Sequence, residues 1–251
     1  LVTLDPVAVE LVDETMIELA RSIPIFQPTV EEAVRGNPAA LLLVEFAEED
    51  MAENERLLRQ LHEMMGDLGF GWDKGTARRG GVVDAIEPGV QGRIAEWRKS
   101  GLNIMMSEKS EAKPVSFLED CAVELKDLAE YTDKLTAIFD RNGVKGTWYA
   151  HASVGCLHVR PVLNMKQAGG AETMRAIAEE AFELVRSFGG SHSGEHGDGI
   201  VRSEFNDRMF GPVLPDLFRQ VKAMFDPQGM FNPGKITDAP KMDDRELFRF
   251  A

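Results

Sequence analysis

The chain has 251 residues, enough for one large or two small domains with a sizeable core, and its 43% hydrophobic and 28% charged content excludes a disordered chain. A formal net charge of −14 argues against a nucleic-acid partner. No basic run marks a membrane surface, and two cysteines are too few for a disulfide framework, which fits a reducing cytosol. The chain opens at Leu1 rather than Met with no signal-peptide pattern, so it reads as a segment of something longer, expected in the cytoplasm.

In chain order, Asp5-Pro6 reads as an N-cap with proline in the first turn, predicting a helix to about Ile23. The apolar run 39–46 predicts a buried strand. Residues 48–65 carry Met51, Leu57, Leu58, Leu61 and Met65 at helical spacing, and Pro88–Lys99 predicts another helix. A strand is expected over 116–123, then an amphipathic helix over 125–141 stopped by Asn142-Gly143. Residues 144–152 and 156–163 read as two strands joined by a tight Ser-Val-Gly turn. Helices follow over 171–188 and 207–225, and Asp226-Pro-Gln-Gly229 and Asn232-Pro-Gly234 punctuate the end. No Gly-x-Gly-x-x-Gly follows a strand, so a dinucleotide-binding unit is not indicated. The order fits an α+β fold, a mostly antiparallel sheet covered by helices; the Ala39 and Ser116 strand–helix segments could head two similar, ferredoxin-like halves.

Chemistry concentrates in two stretches. His151-Ala-Ser-Val-Gly-Cys-Leu-His158 and Gly194-Glu195-His196-Gly197 hold three of the five histidines with a carboxylate beside one. A hairpin would let His151 and His158 face one point, and Glu195 would supply a third ligand for a divalent metal such as zinc, leaving positions open for substrate. His196 would be left as a proton carrier. The other reading, that each histidine is an ordinary hydrogen-bonded residue, stays open on spacing alone. His62, His192 and Cys156 read as structural, and the 12 Met and 14 Phe as core packing.

Several motifs in order resemble the C-terminal domain of the FAD-linked oxidases, the group of the glycolate oxidase D-subunit, D-lactate dehydrogenase and D-2-hydroxyglutarate dehydrogenase. Tyr149-Ala-His-Ala-Ser-Val-Gly-Cys-Leu-His158 is similar to its Gly-His-x-Gly-x-Gly-Asn-Leu-His motif. Ser193-Gly-Glu-His-Gly-Asp-Gly199, Asp226-Pro-Gln-Gly-Met-Phe-Asn-Pro-Gly-Lys-Ile236 and the strand Glu119-Asp-Cys-Ala-Val123 resemble three further family motifs. The resemblance implies that residues 1–251 are one substrate-side domain, with the N-terminal FAD-binding module absent from this chain. It implies the substrate-binding and catalytic part of a FAD-dependent dehydrogenase that oxidises a D-2-hydroxy acid to the 2-oxo acid, inactive alone. The strings at 199–205 and 241–249 look most like large variants that continue into an iron–sulfur module, with electrons passed to an acceptor that could sit at a membrane.

The resemblance also carries residue roles. His151, His158 and Glu195 match metal ligands, with zinc expected. His196 matches the base that takes the hydroxyl proton. Arg98 and Lys113 match cationic contacts to the substrate carboxylate, although each could equally be a solvated surface charge. Asn232 matches a residue lying against the flavin, or is simply the turn residue before Pro233. Arg160 replaces a polar substrate contact, and strand alternation puts it on the face of His158, where it could read a second carboxylate; otherwise it pairs with a structural acid. Ala150, Ser153, Cys156 and Leu102 also depart from the family pattern and leave the substrate open. Two other classes stay open: a self-contained metal hydrolase using the same His/Glu set, and a non-catalytic scaffold that binds a flavoprotein partner.

Overall fold

In the computed structural model, residues 1–73, 75–107 and 109–248 are described. The chain divides into two compact units. The first takes Leu1–Lys109 and Thr147–Ser153; the second takes Ser110–Gly146 and the residues from Val154 onward.

β-Branched residues and pairing along both edges decide the start of the first unit. Ala8–Asp13 is a strand, not the first turns of a helix, with Val9 and Val12 in the core. The N-cap lies later than Asp5: the Asp13 carboxylate accepts from Met16 N at 2.9 Å and opens the helix Glu14–Ser22. Ala8–Asp13 pairs antiparallel with Ala40–Glu45 on one side and with the strand Gly146–His151 on the other. Ala40–Glu45 is therefore an edge strand with Leu42 exposed, rather than the buried strand expected from its apolar run. The second contact sets Glu10 opposite His151 and Val12 opposite Tyr149. Val12, Met16, Ile17, Ala20, Val30 and Trp97 form the core beneath. The helix Met51–Asp67 is capped by Asp50, and Pro88–Lys99 forms as its sequence predicts. A short parallel pair, Phe70–Gly71 with Arg78–Arg79, completes this unit.

In the second unit the strand Cys156–Leu163 is the organising element, buried at most positions. Lys113–Pro114 pairs antiparallel with its end at Val162–Leu163, and Cys121–Ala122 with its start at Cys156–Leu157. The strand expected over 116–123 shrinks to those two residues. Its earlier part turns, because Asp120 adopts a left-handed backbone with φ 87°. Gly155 precedes the central strand with φ 71°, and a Cβ there would lie 2.1 Å from Val123 O, so only glycine fits. The helices Leu128–Arg141 and Gly170–Ser187 pack together, burying Leu135, Phe139, Ile177 and Val185.

The single helix expected over 207–225 is divided. Short turns from Gly199 to Phe210 end at Gly211, with φ 71°, and Pro212, which lacks an N–H for the ladder; Val213–Phe225 follows. That last helix and the turn after it leave Met224, Phe225, Met230 and Phe231 exposed, against the expectation that Met and Phe serve mainly as core. The architecture is α+β with antiparallel pairing dominant. Among the described residues no helix is long and apolar enough to cross a membrane.

Candidate active site

The loop after the helix Gly170–Ser187 crosses back to the sheet through a bridge between Ala122 and Ser191, which delivers Ser193-Gly-Glu-His196 to the turn at Asp120. Asp120 is fully buried, and its carboxylate is the anchor. Oδ1 accepts from Glu195 N at 2.8 Å, and Oδ2 from His196 N at 2.7 Å and Ser193 Oγ at 3.1 Å. The Asp120 carbonyl accepts from Gly194 N at 2.6 Å. Burial alone would raise the Asp120 pKa, but the His196 and Glu195 N–H groups outweigh it and hold the carboxyl below its ordinary value. Arg202, also buried, ties the same segment from the other end, donating to Glu119 O at 2.7 Å and to Gly197 O.

The loop so held brings two side chains to His158 on the central strand. His158 Nε2 lies 3.2 Å from Glu195 Oε1, and His196 Nε2 lies 3.4 Å from the same oxygen. The rings of His158 and His196 stack at 4.7 Å. Ligand atoms of Asp120, His158, Glu195 and His196 all lie within 4.8 Å of one another, a donor set of imidazole nitrogen and carboxylate oxygen that suits zinc. Asp120 differs from the other three in that its oxygens are already taken by N–H and O–H donors.

Arg160, two residues along the same strand, donates to Glu119 through Nε and Nη2, both at 2.5 Å, and both side chains are largely withdrawn from water. Burial would raise the Glu119 pKa, but Ser116 and Arg160 overcome it and keep the carboxyl low. Lys113 is half-buried on the short strand paired with Leu163. Burial, then the neighbouring Asp120 carboxylate, pushes the Cys156 thiol up to about 12, which removes it as a nucleophile at neutral pH. Asn232 is exposed in a turn with φ 46°, its Oδ1 accepting from Lys235 Nζ at 3.3 Å, and Met230 and Phe231 beside it are open to contact.

His151 and Arg98 belong to the first unit, where they share one carboxylate. Glu10 stands opposite His151 in the strand pairing, and its Oε2 accepts from Tyr149 OH at 2.9 Å and lies 2.7 Å from His151 Nδ1. Its Oε1 accepts from Arg98 Nη2, and Arg98 Nε donates to Tyr149 OH at 2.9 Å. Burial, then Glu10, raises the Tyr149 hydroxyl to about 12, so it stays a donor to Glu10. His151 thus faces Glu10 through Nδ1.

Of the residues expected from sequence, His158, Glu195 and His196 therefore meet in one unit, which also carries Lys113 and Arg160, while His151 and Arg98 meet in the other. The acids that hold them, Glu10, Glu119 and Asp120, went unassigned. Glu10 had a visible signal, a carboxylate inside the apolar string Val9-Glu-Leu-Val12.

Comparison with known proteins agrees with this architecture. Residues 2–236 match the family of FAD linked oxidases, C-terminal domain, and the chain belongs to that family. It is 34% identical over 241 residues to D-2-hydroxyglutarate dehydrogenase of Pantoea ananatis, covering 91% of this chain and 22% of that protein. The enzyme of the same name from Escherichia coli is 34% identical over 244 residues, 94% of this chain and 24% of that one. D-lactate dehydrogenase of Archaeoglobus fulgidus is 30% identical over 132 residues, 53% of this chain and 29% of the relative. The chain thus spans about a quarter of the length of these two D-2-hydroxyglutarate dehydrogenases. Among solved structures, 4-ethylphenol oxidase from Gulosibacter chungangensis shares the fold with a TM-score of 0.59 at 12% identity, over 93% of this chain and 48% of that one.

Proposed function

We propose that this chain is the substrate-side module of a FAD-dependent dehydrogenase that oxidises a D-2-hydroxy acid, of the D-lactate, glycolate or D-2-hydroxyglutarate type, to the 2-oxo acid. The observation that carries the reading is the trio His158, Glu195 and His196, set on one point by a buried aspartate in a chain of this family.

In this reading His158 and Glu195 hold a divalent metal, and zinc suits their donor set; the family resemblance alone offers His151 as a further ligand. Bound there, zinc supplies Lewis acidity that lowers the pKa of a substrate hydroxyl. The flavin, carried by another module, supplies the hydride acceptor. His196 takes the hydroxyl proton at Nε2, its ring 43% exposed and so open to substrate. Arg98 and Lys113 bind the substrate carboxylate, Arg98 with its geometry already fixed by Glu10 and Tyr149. Arg160 serves a second carboxylate only in competition with Glu119. Asn232, with Met230 and Phe231 exposed beside it, faces the flavin module.

The ligands of an iron–sulfur module would come from outside this chain, whose two cysteines are both buried, Cys121 raised to about 11 by burial. The full-length protein is placed in the cytoplasm, handing electrons to a separate acceptor that could be membrane-borne. The test is anaerobic mixing of the full-length protein with D-lactate, glycolate and D-2-hydroxyglutarate and with their L isomers where these exist. Bleaching of the flavin by at least one D acid or glycolate is expected; no bleaching by any of them overturns the proposal.

A further inference from the structure

We propose that Asp120 is the positioning residue of this site: it sets Glu195 and His196 against His158 through their main-chain N–H groups and is not itself a metal ligand. The inference rests on the metal-site reading above for its consequence, but its structural content stands by itself.

Three observations converge. First, Asp120 pays for its place twice, as a fully buried acid and as a non-glycine residue at φ 87°, a conformation that aspartate tolerates better than most side chains but that still needs support from its surroundings. Second, the two carboxylate oxygens divide the loop between them. Oδ1 takes the N–H of Glu195 and Oδ2 takes that of His196, so one rigid, planar group fixes two successive residues at once. Successive residues in an extended loop would otherwise rotate independently and carry their side chains apart. Third, the space around the carboxylate leaves no slack. A Cβ on Gly194 would lie 3.0 Å from Cys156 Sγ and 3.2 Å from both Asp120 O and Asp120 Oδ1. Ser193 Oγ and the more distant Cys156 Sγ, at 3.5 Å, complete the ring of donors.

A ligand aspartate would keep at least one lone pair directed at the metal point. Here each oxygen accepts from a backbone N–H and from a second donor, Cys156 Sγ on Oδ1 and Ser193 Oγ on Oδ2, so all four lone-pair directions are engaged, and a carboxylate so engaged is an orienting group behind the ligands. Replacement by asparagine separates the two roles. Whichever way the amide is turned, its NH2 faces one of the two backbone N–H groups, and that half of the loop loses its acceptor.

The experiment compares wild type with Asp120→Asn in the full-length protein, metal-free and zinc-loaded. Amide hydrogen exchange of the 191–197 segment in the metal-free protein is expected to quicken by about tenfold or more, with exchange in the helix 170–187 unchanged. The zinc dissociation constant, by chelator competition, is expected to rise about 10–100-fold, as for other orienting residues behind a metal. Weakened zinc with unchanged 191–197 exchange would make Asp120 a ligand and overturn the proposal; so would both readings unchanged. If Asp120→Asn does not fold, Ser193→Ala removes one donor only; it should quicken exchange in the same segment to a smaller degree, and no change there also overturns the proposal. If His158→Ala and Glu195→Ala leave zinc affinity untouched, the metal-site reading fails, while the exchange result still decides the structural role of Asp120.

Discussion

Glu119 receives both Nε and Nη2 of Arg160 on a single carboxylate oxygen, at 2.5 Å each. The guanidinium that strand alternation turns toward the face of His158 is thus already answered by an acid. Glu119→Gln removes the carboxylate that receives this largely buried cation, and should cost about 3 kcal/mol of stability, read in a urea melt. Arg160→Ala should raise KM for a dicarboxylic D-2-hydroxy acid about tenfold relative to D-lactate if Arg160 reaches the second carboxylate. Equal effects on the two substrates would confine Arg160 to its pairing with Glu119.

The trio predicts metal content directly. His158→Ala or Glu195→Ala in the full-length protein should strip zinc while leaving the flavin bound, if, as proposed, the two side chains hold the metal and another module carries the flavin. Elemental analysis against flavin absorbance checks this, and the same assay on His151→Ala asks whether the first unit contributes a ligand. A mutant with full zinc and normal turnover removes that residue from the set.

His196→Asn should slow flavin reduction by about 10²–10⁴-fold with little change in substrate affinity, since a general base acts on the reacting proton rather than on binding. Rapid mixing separates the two quantities. An unchanged reduction rate assigns the proton to another group.

His192 predicts a pH dependence. It is buried among Phe182, Phe205 and Phe210, with Asp198 and Arg202 as its charged neighbours, and burial holds its pKa below the ordinary value despite Asp198. A histidine depressed in the folded state resists a proton that the unfolded chain takes up. Its stability contribution is complete above about pH 6.5 and is lost as pH falls through the lower folded value. The thermal midpoint should therefore decline from about pH 6.5 downward, and His192→Leu should flatten that decline. Glu119 and Asp120, both held low, lose their stabilisation only at more acid pH.

Gly155→Ala should cost at least about 2 kcal/mol, the left-handed backbone and the overlap with Val123 O adding together. A urea melt within error of wild type would show that this turn relaxes more easily than its geometry implies.

The histidines and their glutamate were legible in the sequence because metal and acid–base chemistry admits few residue types, and His158, Glu195 and His196 do meet. Helices with strong apolar stripes, such as Met51–Asp67 and Gly170–Ser187, were legible for the same kind of reason. What stayed hidden depends on tertiary pairing. The 8–13 segment looked helical because Asp5-Pro6 imitates a helix start, but its pairing with two neighbouring strands outweighs that local signal. Asp120 looked like a strand residue because nothing local announces a left-handed aspartate. Glu10 and Glu119 show their roles only once Arg98 and Arg160, 88 and 41 residues away, are placed beside them.

The first unit is discontinuous: Thr147–Ser153 completes what Leu1–Lys109 begins. During synthesis the early segment must wait for a strand made some forty residues later before Ala8–Asp13 gains its second neighbour. Until then Glu10 and Asp13 lack Tyr149, His151 and the N–H of Trp148. A fragment ending near Lys109 would carry an open sheet edge and two acids short of donors, so it should aggregate rather than fold. The order in which the ribosome delivers the chain thus makes the strand that carries His151 a closing piece of the fold.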